Sequence, residues 1–524
     1  MGSSLSAKLA RNTVANYGGT FVAMAVGLVL TPFLVHKLGD AHYGIWALLG
    51  SVIAYFQLLD LGLSTSLAKY VAEYLAQERE AELSQVCGTV LAAYLGLAAI
   101  ASVAIIGFAP WFAHVFNVVP EDAFLATGTF LLVGLNFVIL LPTSLLNAIL
   151  IGYQRIDYSN IIRSISQLAN AGVVILLLNR GLGLIAVAFV SILTTLLVAR
   201  GRLYFIRRTA PQLRFSPRFF RPDVARMMFG YSAAVFMVQI SGLVLFQKDN
   251  VILGFFFPVA VITPYAVTYK VAHYLDLLAQ PLTAVLFPAY AELKGKLDDR
   301  RLRILYLEGT RGVTVLCSLL GVFLLMTGTD ILGLWVGLKY RDQGPILYPL
   351  LLFFVVIAVA RVGGSLLVAI GQARLRMYMA IGMMVLNLVL CTTLARVWGP
   401  RGLAIGNALS VLVVYGFVLI PFVGMKVGVS VVQSVRFALL PAVLPAALTA
   451  GYLHLARKYY PIRNWLMAGF YLVSSALLFG TAYLIVGATR SERASYLLRF
   501  RSLFGTSARP DKHDDRGEET VQRT

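Results

Sequence analysis

Acidic residues are scarce in this chain, and cysteine is scarcer still. Three cysteines (Cys87, Cys317 and Cys391) stand far apart in 524 residues, each within or at the edge of an apolar run. That spacing offers neither a disulfide framework nor a metal-binding cluster. Charged residues make up only 13% of the chain, against about 25% in soluble domains, which excludes an ordinary soluble enzyme. No paired carboxylates, HExxH motif or nucleophile–base set stands outside the apolar runs. The longest outer loop, near Gly328–Pro345, is too short to hold a catalytic domain. A membrane glycan polymerase or ligase is therefore disfavoured, and the chain is read as a non-enzyme. Ten-residue segments of alternating polarity, the mark of a membrane β-barrel, are missing too.

What remains is apolar: 59% of residues are hydrophobic and the mean hydropathy is +0.79. At roughly 20 residues per span, the runs divide into about fourteen transmembrane helices. They are expected near 13–35, 43–63, 86–108, 123–147, 159–179, 183–205, 228–255, 260–288, 304–327, 346–370, 375–396, 402–424, 437–456 and 464–487. The fold class is thus an all-α polytopic membrane protein. A net charge of +20 invites a nucleic-acid partner, but the basic residues collect in alternate loops, as the positive-inside rule requires. That pattern excludes nucleic acid and places both termini in the cytoplasm, with the phospholipid bilayer as the surrounding partner.

An offset of 219 positions lays Ile151-Gly152 on Ile370-Gly371, Arg155 on Arg374, Gly183-Leu184 on Gly402-Leu403 and Ser191 on Ser410. The offset spans six helices, an even number, so the two copies share one orientation, as in a two-lobed transporter with its site between the lobes. The expected layout is a cytoplasmic N-terminus (1–12), an N-lobe (13–205), a basic connector (206–227), a C-lobe (228–424), two further helices (425–487) and a basic, disordered cytoplasmic tail (488–524). The connector region from Arg200 to Arg226 holds eight arginines, no lysine and three prolines.

Ionisable residues inside spans mark a watered cavity, because a charge at the bilayer centre costs at least about 2.5–3.5 kcal/mol. The candidates are the cations Arg163, Lys248, Lys270 and Arg361 and the acids Asp60, Asp249 and Asp276. Lys270, His273, Asp276 and Gln280 step by three, three and four, which sets them on one face of a helix. Shorter polar stripes occur at Gln57 and Asp60, at Arg163, Gln167 and Asn170, and at Asn16 with Asn12 and Thr20. Each such residue could instead serve as interhelical glue, and the cations could pair with the acids or reach toward headgroups.

The stretch YGIWALLGSVIAYFQLLDLGLSTSLAKYVAE (43–73) resembles the polysaccharide transport family of O-antigen flippase-like proteins, in the multidrug/oligosaccharidyl-lipid/polysaccharide exporter superfamily. TPFLVHKLGDAHYG (31–44) looks like that family's first loop, and KDNVILGFFFPVAVITPYAVTYKVA (248–272) is similar to its seventh and eighth helices, including Asp249 and Tyr265. Lys248 beside the acid departs from the pattern. The resemblance implies two six-helix lobes in a V, two extra C-terminal helices, and outward movement of a polyprenyl-diphosphate-linked oligosaccharide across the inner membrane by a monomer, alongside other polysaccharide-assembly proteins. On that reading the four cations grip the diphosphate, arginine as a planar fork and lysine as a point charge. The acids and polar residues line the cavity or carry a coupling H+ or Na+; no other cofactor is expected. Voltage alone would release about 4–5 kcal/mol for two negative charges crossing 100 mV. The serious alternative is a cation-coupled drug or metabolite antiporter on the same scaffold.

Overall fold

The computed structural model describes residues 2–488, with side chains for all of these except 2–17, 229–235, 237 and 238. The expected tail beyond 488 lies outside the described residues. Helices account for the secondary structure among them, and no strand occurs.

The first helix, α1 (Gly2–Phe56), is broken at Gly39, whose φ of 76° and ψ of 175° leave the helical region. A left-handed φ there favours glycine. Continuous helix over the 43 residues from Gly18 to Asp60 would run about 64 Å, twice the hydrocarbon thickness, so the break makes two spans of one apolar run. The N-terminal half continues with α2 (Leu63–Ala76), α3 (Glu80–Val115), α4 (Pro120–Gly152), α5 (Ile156–Asn179) and α6 (Leu184–Thr209). A connector with one 3-10 turn at Pro217–Phe219 leads to α7 (Pro222–Phe256) and α8 (Ile262–Ala284). A short α9 (Leu286–Gly295) separates α8 from α10 (Asp299–Val336), and α11 (Gly344–Ala369) follows.

The next helix, α12 (Ala373–Val411), breaks at Gly399 (φ 61°, ψ −143°), just before Pro400. The proline's preset φ suits the start of the second leg. The legs fold back tightly: a Cβ on Gly406 would lie 2.8 Å from the Cys391 backbone, so only glycine allows this packing. A π-helical stretch (Leu412–Leu419) and α13 (Ile420–Lys426) complete that leg. A capping box between Ser430 and Gln433 starts α14 (Val431–Ser434), which runs on toward α15 (Leu440–Tyr459). Asn464 caps α16 (Trp465–Ala482) by accepting from the Met467 amide at 2.8 Å.

Ten helices are long and apolar enough to cross a membrane. Two of these cross twice because of the glycine breaks, and α7 and α8, which carry the buried charges, bring the described spans to fourteen. The fold class expected from the sequence is the one found.

Within the N-terminal half α4 is central, packing on α2, α3 and α6, while α1 packs on α5. Within the second half α11 plays that part against α8, α10 and α12. The halves meet where α1 lies against α7 and α8 and where α2 and α3 lie against α7. The final pair, α15 and α16, docks on α10 over a small separate cluster of Phe323, Leu453, Ile462, Ala468 and Tyr471.

Several hydrogen bonds between the halves lie in the part of the molecule nearer Gly39. Thr263 donates to the Asp40 carbonyl at 2.6 Å, and Trp335 donates to the Leu28 carbonyl at 2.7 Å. Lys339 pairs with the Asp40 carboxylate at 2.7 Å, and the Tyr340 hydroxyl donates to the same carboxylate. Asn117 donates to the carbonyls of Gly254 and Phe255. At Gly44 the backbones nearly touch, and a Cβ there would collide with the Val259 carbonyl.

Candidate functional site

Two chambers lie one after the other along α7. The first, about 640 Å³, is walled by α1, α7, α8 and Arg361 of α11. The second, about 950 Å³, lies nearer the connector and is lined by residues of α1, α4, α5 and α7, with Gln57, Asp60 and Ser64. Phe246 and Gln247 line both chambers.

The stripe on α8 faces the first chamber as its spacing required: Lys270, His273, Asp276 and Gln280 all line it. Asp276 is 1% exposed and accepts from Arg361 Nη2 at 2.6 Å and from Gln280 Nε2 at 3.1 Å. The Arg361 side chain keeps 30% of its surface exposed, so the pair presents its cationic end to the chamber. His273 is packed among aromatic rings, with centroid distances of 5.1 Å to Phe354, 5.8 Å to Tyr269 and 6.5 Å to Phe246.

Lys270 stands differently. Its ammonium donates to Tyr43 Oη at 2.9 Å and Thr31 Oγ1 at 3.1 Å. Both partners are neutral hydroxyls on the two legs of α1. No carboxylate pairs with Lys270 among the described residues, whereas Asp249 and Asp276 each have a cation of their own. Counting Lys248, which is bonded to Asp249 behind the wall, the charged groups in and behind the first chamber sum to one positive charge. The Tyr43 ring also lies against this ammonium, 5.6 Å to its centroid, and adds to the hydroxyls in easing the cost of desolvating the cation.

Lys248 does not face either chamber, contrary to the expectation that it grips cargo. Adjacent helical residues point about 100° apart, so while Asp249 lines the first chamber, Lys248 turns into the packing between α7 and α12. There it is 2% exposed, bonded to Asp249 Oδ1 at 2.8 Å and Asn407 Oδ1 at 3.0 Å. The other Asp249 oxygen accepts from Tyr265 at 2.6 Å and from Asn407 Nδ2 at 2.8 Å. Asn387 extends the network, donating to Asn407 at 3.0 Å and to Ser410 at 2.6 Å.

Asp60, Gln57 and Arg163 all line the second chamber. Asp60 is held by hydroxyls, accepting from Ser64 and from Tyr94 at 2.6 Å each. Arg163 donates to Asn160 Oδ1 at 2.8 Å and presents the rest of its guanidinium to the chamber. Asn170 was expected to line the cavity but donates to Thr194 of α6 at 2.8 Å, inside the N-terminal half. Gln167 lines neither chamber; its Oε1 is buried. Both lie one turn or more along α5 from Arg163, beyond the part of that helix that lines the chamber. The Asn16 side chain lies outside the described residues.

Several site residues were not singled out from the sequence. Tyr43 and Thr31 anchor Lys270; Ser51 and Asn250 bond each other at 3.0 Å across the seam, and Ser51 also donates to Gln247 at 3.3 Å. Asn407 and Asn387 sit in strongly apolar runs, and an asparagine so placed is the only trace they leave in the sequence.

A bundle of fourteen spans, with polar, charge-bearing chambers where α1 and the N-terminal half meet α7 and α8, defines a membrane transporter. The family model for polysaccharide biosynthesis proteins matches residues 9–294, and the chain belongs to that family. It is 21% identical over 333 residues to the probable flippase AglR of Haloferax volcanii, covering 63% of this chain and 65% of that protein. It is 23% identical over 311 residues to a putative O-antigen transporter of Salmonella typhi, covering 56% and 67%. These matches thus span about two thirds of each relative's length. Among solved structures, the lipid II flippase MurJ in an inward closed conformation superposes with a TM-score of 0.69 at 13% identity, over 94% of this chain and 99% of that one. An inward-facing multidrug resistance MATE family transporter of the MOP superfamily gives 0.62 at 15% identity, over 79% and 98%. Both likenesses concern the fold.

Proposed function

We propose that the chain flips a polyprenyl-diphosphate-linked oligosaccharide from the cytoplasmic to the outer leaflet of an inner membrane, for cell-surface polysaccharide synthesis. The observation that carries this reading is the surplus cation. Lys270 projects into a chamber whose acids are already paired, so the chamber favours an anionic guest. A diphosphate bound at Lys270 and the exposed edge of Arg361 would give these cations an anionic acceptor, which neither the Thr31 nor the Tyr43 hydroxyl supplies. Arg163 in the second chamber offers a further cation nearer the entrance. The amide and hydroxyl groups of Gln57, Gln247, Asn147 and Ser144 suit sugar hydroxyls.

The basic connector marks the cytoplasmic side by charge bias, so the seam near Gly39 is the outer gate and the arrangement described is closed outward. Both termini are then cytoplasmic. Loss of the contacts at Asp40, with new ones at the connector end, would expose the chambers to the outer leaflet, and the voltage favours outward movement of the anion.

The test is reconstitution of the purified protein in vesicles with a lipid-diphosphate oligosaccharide. Changing Lys270, Arg361 or Arg163 singly to Ala should impair flipping for at least two of the three with normal membrane insertion. Efflux of cationic drugs without movement of the glycan lipid would transfer the assignment to the antiporter class that shares this fold.

A further inference from the structure

Lys248 answers a question the cavity leaves open: what neutralises Asp249. The ammonium bonds three oxygens, Asp249 Oδ1 at 2.8 Å, Asn407 Oδ1 at 3.0 Å and the Leu245 carbonyl at 3.4 Å, with the Cys391 thiol also against it. One carboxylate, one amide oxygen and one backbone carbonyl from two helices form the kind of hard oxygen shell that takes alkali cations in transporters. The shell is fixed in orientation. Asn407 turns its Oδ1 toward Lys248 because its Nδ2 is engaged with Asp249 Oδ2 at 2.8 Å. Asn387 Nδ2 holds the same Oδ1 from the other side at 3.0 Å. The remaining donor to Asp249, the Tyr265 hydroxyl, is neutral, so carboxylate and ammonium together close the charge at zero.

An alkali ion in such a shell is exchangeable; an ammonium on a four-carbon stem is not. We propose that Lys248 is a tethered occupant of a monovalent-cation site in the second half of the protein. Asp249 keeps a fixed counter-charge through the whole cycle, and the cargo moves without sodium exchange at this acid. The site stands independently of the cargo assigned above; only the transport arm of the test rests on that reading.

Lys248→Ala removes the ammonium and leaves the three oxygens and one negative charge around the vacated volume. The melting temperature of the purified protein is followed in sodium chloride against choline chloride at equal ionic strength. The unaltered protein should be indifferent to sodium, and K248A should be stabilised by at least about 3 °C through binding linkage. The double variant Lys248→Met with Asp249→Asn, which is neutral, should fold and ignore sodium. Sodium-stabilised unaltered protein, sodium-indifferent K248A, or a K248A that fails to fold in sodium while the double variant folds would each overturn the proposal. If neither variant folds, the sodium response of the unaltered protein decides. In vesicles with the voltage clamped, flux of glycan lipid by the unaltered protein should agree within about twofold with and without sodium, and K248A should gain at least about tenfold on sodium addition. The melting measurement involves no glycan, so a wrong cargo and a wrong cation site give different results.

Discussion

The Lys270 ammonium bridges the two legs of α1, bonding Thr31 on one side of Gly39 and Tyr43 on the other at 3.1 and 2.9 Å. One side chain of the second half thus touches both legs of the N-terminal hairpin, at the wall of the chamber. A ligand can take the third N–H of this ammonium while both bonds stand, and one that took more would loosen it from α1.

Lys270→Gln should therefore separate binding from folding. Glutamine keeps hydrogen bonds to the two hydroxyls but loses the charge. Flux of a diphosphate-linked glycan should fall by at least about tenfold, in line with loss of one charge-assisted bond, while the melting temperature moves by under about 3 °C. Equal loss of flux and of stability would mean the lysine is purely structural.

Arg361 should behave in the opposite way in isolation. Arg361→Ala leaves Asp276, 1% exposed, without its cation. Removing one partner of a buried pair costs about 3–5 kcal/mol, with the lower end expected here because the guanidinium is part-exposed. Chemical denaturation in detergent should report the loss, and adding Asp276→Asn should restore most of it. Restored stability without restored flux would separate the two roles of Arg361.

Gly44→Ala tests the seam. A methyl group there meets backbone, the Val259 carbonyl, which has no rotamer to yield. The closed arrangement near Gly39 should be disfavoured, and single cysteines placed in the first chamber should become reactive to impermeant thiol reagents from the Gly39 side. Unchanged reactivity would show that the lobes separate elsewhere.

The latch at Asp40 should respond to alkali. Burial and the Asp40 carboxylate together push the Tyr340 phenol above its ordinary range. A raised pKa means that docking favours the protonated phenol, so its contribution is complete below the usual value of about 10 and is lost as pH rises beyond it. Accessibility from the Gly39 side should increase above about pH 10, and Tyr340→Phe should remove that dependence. An alkaline transition that persists in the phenylalanine variant would exclude Tyr340 as its source.

Much of this architecture was legible from the chain. Long apolar runs and alternating loop charges are imposed by the bilayer itself, so fourteen spans could be counted before any contact was known. The stripe from Lys270 to Gln280 was readable because a helix puts those steps on one face, and all four residues do line one chamber. Lys248 was misplaced because its sequence neighbour, Asp249, says nothing of which neighbouring helix each faces. Asn170 illustrates the same limit: period alone cannot distinguish a cavity from the groove holding Thr194. Tyr43 and Thr31 were invisible as ligands because their roles arise only when Gly39 folds the two legs together.

The close backbone approach of Gly44 to Val259 has a physiological corollary. Where main chain meets main chain, there is no side chain to swing aside and admit a file of solvent. A seam closed main chain to main chain is a poor path for ions, so idle copies of such a transporter stay tight on that side.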